Sequence, residues 1–330
     1  MDSMEALLDI RELQTHFQTE AGVLRAVDGV SLRVREGETV CIVGESGCGK
    51  SMTAMSVLGL VEGPSGKVAG GEVRFGGRDL LRMSRHELRT LRGHELSMIF
   101  QEPMSSLNPV LTIGRQIAEP LREHLRLGRK EAERRAVELI REVGISRPEQ
   151  IAGAYPHELS GGMLQRVMIA IAVSCKPKLL IADEPTTALD VTIQAQILDL
   201  LRGLQEKSGM ALLLITHDLG VVAEMADYVI VMYAGKVVEE GEVERLFREP
   251  RHPYTQGLLR SKPVLGQVRE ELYSIPGQVP NPLELGAGCA FADRCEFAMD
   301  RCRRQEPPLA PVGSDQQAAC WLHGKEGQHE

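Results

Sequence analysis

The sequence predicts an α/β fold built around buried parallel strands, followed by a smaller loop-rich region. Leu179–Ala182 and Ala211–Thr216 are short, continuous apolar runs separated by a helical stretch, Val191–Lys207. This is the pattern of parallel strands buried on both faces and joined by a crossover helix. A further apolar strand ends at Val43 and leads through a Gly-rich turn into an apolar helix, Met52–Leu60, which is the strand–loop–helix order of a phosphate-binding unit.

The remaining elements before residue 100 are mostly strands. Between residues 7 and 43, short alternating runs are interrupted by Gly29 and by a turn at residues 36–38. Gly66–Phe75 again has strand and turn signals. Ser84 followed three residues later by Glu87 is a capping box, which predicts the start of a short helix.

Two later regions differ from this core. Residues 103–172 are mostly helical in pattern, and residues 129–143 are strongly charged on one face, which indicates an inserted helical layer. Val229–Tyr233 and Lys236–Val238 predict a last pair of strands. From Pro250 onward, frequent prolines exclude long helices and central strands, so a loop-rich tail is expected.

Composition excludes several classes of protein. No run approaches the roughly 18–20 apolar residues that cross a bilayer, and the N-terminus lacks the layout of a signal peptide. We therefore expect a cytosolic chain that reaches a membrane only through protein partners. A net charge of −8 argues against nucleic acid as a partner, since non-specific binding to it needs a basic surface.

The turn after the first apolar strand matches the phosphate-binding pattern G-x-x-x-x-G-K-[ST]. Its glycines let backbone N–H groups surround phosphates, its lysine adds a cation, and its last hydroxyl can bind Mg²⁺. A chance Gly-rich turn is the alternative, but the flanking strand and helix favour a nucleotide site. The motif consists of Gly44, Glu45, Ser46, Gly47, Cys48, Gly49, Lys50 and Ser51. Cys48 occupies a variable position, where a small filler is more plausible than a redox switch.

Two carboxylates, Asp183 and Glu184, end the strand that begins at Leu179. Ligands of α/β proteins bind at the C-terminal edge of parallel strands. Asp183 is suited to hold the magnesium shell, and Glu184 is suited to accept a proton from an attacking water. A pair of acids that only caps a turn is the alternative, and the preceding phosphate loop argues against it.

These motifs are joined by four others, and together they resemble the ATPase subunits of ABC transporters. The resemblance covers residues 1 to about 240. The four motifs are Leu159-Ser160-Gly161-Gly162-Met163-Leu164-Gln165-Arg166 (signature loop), Phe100-Gln101-Glu102 (Q-loop), Ala188-Leu189-Asp190 (D-loop) and Ile215-Thr216-His217-Asp218 (H-loop).

The resemblance implies MgATP as cofactor and a site shared between two subunits. Ser160, Gly161 and Gly162 would bind the γ-phosphate held by the partner's phosphate loop. Gln101 would sense Mg²⁺ and the attacking water, so that Ser51, Gln101 and Asp183 form the magnesium set.

Three further roles are carried over from the family. His217 would steady the γ-phosphate, although a lone histidine is more often structural. Asp190 would communicate across the dimer. Phe17 falls where the family places an aromatic residue on adenine, and a plain core phenylalanine is an equal alternative.

The family's architecture sets the expected domains. Residues 1–250 would form the ABC-type P-loop ATPase, with a RecA-like core, an antiparallel β subdomain and a helical subdomain at about 103–172. Residues 251–330 would form a Pro- and Cys-rich extension.

Longer stretches around the motifs resemble the dipeptide/oligopeptide and nickel importer branch, in particular the first of its two ATPase subunits. These stretches are residues 98–109, 177–192 and 251–255. This resemblance implies a second homologous ATPase, two integral membrane permeases, an extracytoplasmic substrate-binding protein and a peripheral location on the cytoplasmic face of the inner membrane. Nickel or another small solute, and a soluble ABC ATPase without a permease, are the alternatives.

Four of the seven cysteines crowd near the end of the chain with the spacing C-x5-C-x6-C-x17-C. The surrounding segment has few apolar groups, so a bound metal would supply folding free energy. Zinc sites usually contain C-x2-4-C pairs, whereas iron–sulfur clusters accept more varied spacing. The family resemblance implies a [4Fe–4S] cluster; zinc, and free or disulfide-linked thiols, remain the alternatives. The four residues are Cys289, Cys295, Cys302 and Cys320.

Overall fold

A computed structural model describes residues 6–61, 65–187, 189–261, 273–313 and 315–323. The strands in these ranges are β1 (Leu8–Thr19), β2 (Gly22–Val34), β3 (Thr39–Val43), β4 (Gly66–Phe75), β5 (Arg78–Asp79), β6 (Leu96–Ile99), β7 (Leu179–Asp183), β8 (Ala211–Thr216), β9 (Tyr228–Tyr233), β10 (Lys236–Glu242), β11 (Ala310–Pro311) and β12 (Gln316–Ala318).

The α-helices in the same ranges are α1 (Lys50–Val57), α2 (Arg85–Leu91), α3 (Pro103–Ser106), α4 (Ile113–His124), α5 (Arg129–Glu142), α6 (Pro148–Gly153), α7 (Gly161–Val173), α8 (Val191–Ser208), α9 (Leu219–Met225), α10 (Val243–Arg248), α11 (Pro253–Arg260) and α12 (Asp300–Arg304). None of the helices in the described ranges is both long enough and apolar enough to span a bilayer.

The chain divides into two compact units that each combine distant segments. Among the described residues, the first unit contains residues 6–7, 34–38 and 82–215, and the second contains residues 8–33, 39–81 and 216–323. Neither unit coincides with the predicted domains. The boundary at residue 250 stays a prediction.

The first unit carries parallel strands in the order β8-β7-β6 and a layer of helices. Every residue of β7 and β8 is buried, as expected for continuous apolar strands in a parallel sheet. In α5, the buried residues Ala132, Ala136, Leu139 and Ile140 form one helical stripe. Helices α4, α5 and α6 pack on one another, so the inserted helical layer predicted from residue 103 onward is present.

The second unit contains an antiparallel sheet in the order β2-β1-β4-β5 and a group of strands in the order β11-β12-β10-β9-β3. In the latter, β3 and β9 are parallel, whereas β9–β10, β10–β12 and β12–β11 are antiparallel. The fully buried β3 leads directly into the phosphate loop and α1.

Most predicted elements are confirmed, and one prediction was wrong. Gly29 does not end a strand, because it lies inside β2 with a φ of 77° that its missing Cβ permits. The predicted loop-rich tail is confirmed, since its described part contains no helix longer than eight residues and no strand longer than three. It adds β12 to the edge of β10, and β11, which contains Pro311, forms the outermost strand, where proline is tolerated.

Candidate nucleotide site and cysteine-lined cavity

The phosphate loop is shaped by two glycines that no other residue could replace without strain. At Gly44 a Cβ atom would lie 2.2 Å from the Met232 carbonyl oxygen, and at Gly49 it would lie 2.4 Å from that of Ala26. Both residues also have positive φ, 154° and 99°. The backbone can therefore pass close to neighbouring strands and turn sharply into α1, which begins at Lys50. Ser46 and Gly47 form the exposed tip of this turn, and Ser51 lies in the first turn of α1.

Lys50 is held inside the loop. Its side chain is buried, and its ammonium donates hydrogen bonds to the carbonyl oxygens of Gly44 at 2.8 Å and Glu45 at 3.0 Å. Cys48 is 1% exposed, and burial raises the pKa of its thiol, as expected for a neutral filler. The Cys48 carbonyl accepts the N–H of Gly235 at 3.0 Å, which ties the loop to the β9–β10 turn.

The first unit presents the two predicted acids at the end of β7. Asp183 is the last residue of the strand and is 5% exposed. Glu184 has a φ of 47°, a left-handed conformation that is unfavourable for a residue with a side chain. Its N–H donates to the Ile215 carbonyl oxygen at 2.8 Å, which holds the turn. Strained backbone of this kind is concentrated at functional sites.

The Glu184 carboxylate receives two hydrogen bonds at the same oxygen. The Gln101 side-chain amide donates to Oε2 at 3.1 Å, and the Thr187 hydroxyl donates to it at 2.8 Å. The structure thus brings together Gln101 and Glu184, which lie 83 residues apart. Thr187 was missed in the sequence, although its position three residues after Glu184, in the same turn, was a usable signal.

The predicted signature residues lie at the start of α7. Ser160 and Gly161 are exposed, and Ser160 occupies the N-cap position. Within the described ranges the Ser160 side chain does not cap its own helix. Because Ser160 and Gly161 are exposed, the start of this 13-residue helix is accessible from solvent, and a helix N-terminus favours an anion.

The last three predicted residues lie on separate elements. Asp190 caps α8, accepting the Ile193 N–H at 3.0 Å. Residue Ala188 of the predicted D-loop lies outside the described residues. His217 follows β8 and is exposed. Phe17 is half-buried opposite Gly66 on β4, where a Cβ would lie 2.6 Å from the ring.

All four C-terminal cysteines line one cavity in the second unit. The other lining residues are His252, Pro253, Phe291, Ala292, Phe297, Pro307, Trp321 and Leu322. Burial raises the pKa of the Cys289 and Cys295 thiols, and it raises that of Cys320 to about 11. Among the described residues, the lining therefore combines four soft sulfur donors with mostly apolar side chains and no carboxylate.

The four cavity thiols are not arranged as a preformed metal site. Within the described part of the chain, no group of three or more His, Cys, Asp or Glu side chains is arranged to hold a metal ion. The other three cysteines, Cys41, Cys48 and Cys175, are buried elsewhere.

The first unit also carries a large groove on its helical layer, with a volume of about 1190 Å³. It is lined by parts of α2, α4, α5 and α6. Its charged residues are Arg89, Arg115, Arg122, Arg129, Glu119, Glu123 and Glu133. A wide groove with mixed charge suits a polar protein segment better than a small apolar ligand.

Family comparisons match both parts of the chain. Residues 27–187 match the family described as ABC transporter. Residues 238–302 match the family described as oligopeptide/dipeptide transporter, C-terminal region. The second match spans the start of the extension and three of the four cavity cysteines.

Individual relatives match over nearly their full length. The chain is 54% identical to the oligopeptide transport ATP-binding protein AppD of Bacillus subtilis, covering 99% of this chain and 100% of that protein. It is 52% identical to the dipeptide transport ATP-binding protein DppD of Escherichia coli, covering 96% of each.

A solved structure shares the fold at lower identity. The dimeric structure of MJ0796, a bacterial ABC transporter cassette, superposes with a TM-score of 0.64 at 30% identity, covering 72% of this chain and 98% of that one. The chain therefore belongs to the ATP-binding proteins of ABC transporters, in the branch that contains the oligopeptide and dipeptide transport subunits.

Proposed function

We propose that this chain binds and hydrolyses MgATP as one of two ATP-binding subunits of an importer for dipeptides or oligopeptides. The observation that carries the proposal is the match over almost the whole chain to peptide transport ATP-binding proteins, including the extension beyond residue 250. All the residues that an ATPase of this family needs are retained.

The phosphate loop would bind the nucleotide, with backbone N–H groups and Lys50 on its phosphates and with Ser51, Gln101 and Asp183 around Mg²⁺. Glu184 would accept a proton from the attacking water as the water's oxygen bonds to the γ-phosphorus. The bond between that phosphorus and the β–γ bridging oxygen breaks, giving ADP and phosphate. The hydrogen bonds from Gln101 and Thr187 support this assignment because they fix the carboxylate in one orientation.

The site would be completed by a partner. Ser160, Gly161 and Gly162 would contact the nucleotide of the second ATPase subunit, and Asp190 and His217 would act at the same interface. The exposure of Ser160 and Gly161 supports this role. Since MJ0796 is dimeric in its solved structure, a pair of cassettes is the expected arrangement. In this importer the second cassette would be a different, homologous chain.

The helical layer would bind the permeases. Its groove between α4, α5 and α6 offers charges of both signs, which would select a cytoplasmic segment of complementary charge. The chain would then lie peripherally on the cytoplasmic face of the inner membrane. It would meet the extracytoplasmic substrate-binding protein only through the permeases.

The four cavity cysteines would hold a [4Fe–4S] cluster. Cys302 lies on α12 and the other three cysteines lie in loops, and their place around one cavity with mostly apolar walls supports this assignment. When bound, such a cluster would supply folding free energy to a segment with little apolar core of its own. The thiols would lose their protons on binding it, so that binding would be pH-dependent.

Uptake by the reconstituted complex tests the function. The chain, the second ATPase and both permeases would be placed in vesicles with the substrate-binding protein outside. ATP-dependent accumulation of a labelled dipeptide, lost with Lys50→Ala, is the expected result. Accumulation of nickel instead of peptide would reassign the cargo. Failure to recover permeases with the chain from native membranes would contradict the transport role.

A further inference from the structure

The geometry points to Arg294 as a positioning residue for the phosphate loop, through which the C-terminal extension sets the affinity for MgATP. The inference rests on the proposed ATP-binding function. Arg294 ends a short 3-10 turn, Ala292–Arg294, which lies between Cys289 and Cys295. Its position therefore depends on how the segment around the cysteine-lined cavity folds.

Arg294 forms a two-bond ion pair with Glu45, the second residue of the loop motif. One guanidinium nitrogen donates to Glu45 Oε2 at 2.7 Å, and the other donates to Oε1 at 3.1 Å. The Arg294 side chain is only 6% exposed. A planar guanidinium paired in this way fixes the orientation of a carboxylate, which a lysine ammonium cannot do.

The rest of the guanidinium is also held in place. Its Nε donates to the Pro276 carbonyl oxygen at 2.8 Å, and one terminal nitrogen approaches the Tyr233 hydroxyl at 3.3 Å. The rings of Tyr233 and Phe291 each lie 5.8 Å from its central carbon. Burial alone would lower the pKa of Arg294, but the bonds to Glu45 and Tyr233 outweigh it, so the group stays charged.

A second residue beyond β10 holds Glu45 by its backbone. The hydroxyl of Tyr254, on α11, accepts the Glu45 N–H at 2.8 Å, and Tyr254 is fully buried. The Glu45 carbonyl oxygen in turn accepts the Lys50 ammonium at 3.0 Å. Glu45 thus links the extension to the lysine that meets the phosphates.

Because of this arrangement, Arg294 should affect the binding of MgATP but not the hydrolysis step. Without Arg294 the Glu45 carboxylate has no fixed orientation, and nucleotide binding must order the loop at a cost in affinity. The proton acceptor Glu184 belongs to the other unit and has its own hydrogen bonds. Loss of Arg294 should therefore raise KM for MgATP and leave kcat nearly unchanged.

The test measures KM and kcat for MgATP in the assembled transporter. Arg294→Gln should raise KM about tenfold, equivalent to about 1.4 kcal/mol, with kcat within about twofold of wild type. Glu45→Gln should do the same, and the double variant should be no worse than either single one. Arg303→Gln is the matched control, because it breaks an exposed ion pair with Asp293 in the same segment without touching the loop.

A milder variant, Tyr254→Phe, keeps the inference testable if Arg294→Gln does not fold. Tyr254→Phe removes only the hydroxyl that accepts the Glu45 N–H, and it should raise KM about three- to fivefold, equivalent to roughly 0.7–1 kcal/mol. An unchanged KM in every variant that assembles, or an equal rise in Arg303→Gln, overturns the inference while the proposed function stands. If the wild-type complex does not hydrolyse MgATP, the proposed function fails and this inference fails with it.

Discussion

The phosphate loop and the cysteine-lined cavity are both made of turns, but they are specified in different ways. The loop consists of eight consecutive residues, and its shape follows from two glycines and the buried strand before them. The cavity draws its four sulfur atoms from positions spread over 32 residues, and it is closed by residues from α11 as well. In the proposed functions, backbone N–H groups act together with Lys50 and Ser51 in the first site, whereas the second site would depend on its cysteine side chains alone.

Because of this difference, the phosphate loop should depend on the extension, whereas the cavity should not depend on the loop. The loop is held partly by residues that lie beyond β10, Tyr254 and Arg294. The cavity is closed mainly by its own apolar side chains. Changes in the extension should therefore reach the loop, and changes in the loop should leave the cavity intact.

Replacing all four cavity cysteines by serine should give the largest effect. We expect the full chain purified without oxygen to contain about four iron and four sulfide per molecule, and the variant to contain neither. Iron, sulfide and zinc analysis with an absorption spectrum provides the measurement. Cys175→Ser, which changes a buried cysteine of the other unit, should keep the full content. Zinc without iron, or no metal in the wild type, would contradict the cluster assignment.

Acid should loosen the extension through His252. This side chain is fully buried against the cavity, and burial lowers its pKa to about 3. Since the unfolded chain takes up the proton at about pH 6.5, the free energy of unfolding should fall as the pH drops from 6.5 toward 3. His252→Asn keeps an acceptor for the Tyr254 N–H but does not titrate.

The wild type should therefore lose about 1.5–2 kcal/mol more than His252→Asn between pH 6.5 and pH 5. Urea unfolding followed by the fluorescence of Trp321, the single tryptophan, reports directly on this cavity. The same substitution at the exposed His157 is the control. Identical pH dependence of the wild type and His252→Asn would show that the buried ring contributes nothing.

The smallest expected effect lies at the turn after β7. Thr187→Val keeps the size of the side chain but removes the hydrogen bond to Glu184. Because one such bond contributes about 0.5–1.5 kcal/mol, kcat for ATP hydrolysis should fall about two- to tenfold. Thr187→Ser keeps the hydroxyl and should stay near wild type. Equal turnover in Thr187→Val and wild type would remove Thr187 from the account.

The sequence pattern was sufficient to predict those strands and helices that are determined by their own residues. Strands β7 and β8 and helix α8 agree with the predicted bounds to within one residue. Their type and bounds follow from the position and the length of the apolar runs in the sequence. The capping box at Ser84 and Glu87 is formed as predicted. Gly29 was misread because a glycine with positive φ signals a turn and an irregular strand equally well.

Features that depend on contacts between distant parts of the chain could not be predicted from the sequence. The ion pair between Arg294 and Glu45 joins residues 249 positions apart. The sequence around neither residue contains a pattern that predicts it. The strand β12 pairs with β10 although it is only three residues long and follows several prolines. Its sequence is too short and too polar to have a strand signature, so only the partner strand specifies it.

The most direct test of the account compares binding and hydrolysis in one variant, Glu184→Gln, within the assembled transporter. The substitution keeps the size of the side chain and removes the proton acceptor. ATP turnover should fall by a factor of about 10² to 10⁴ while the affinity for MgATP stays within about twofold of wild type. Turnover near the wild-type rate would contradict this prediction, because the proton of the attacking water would then go to another group.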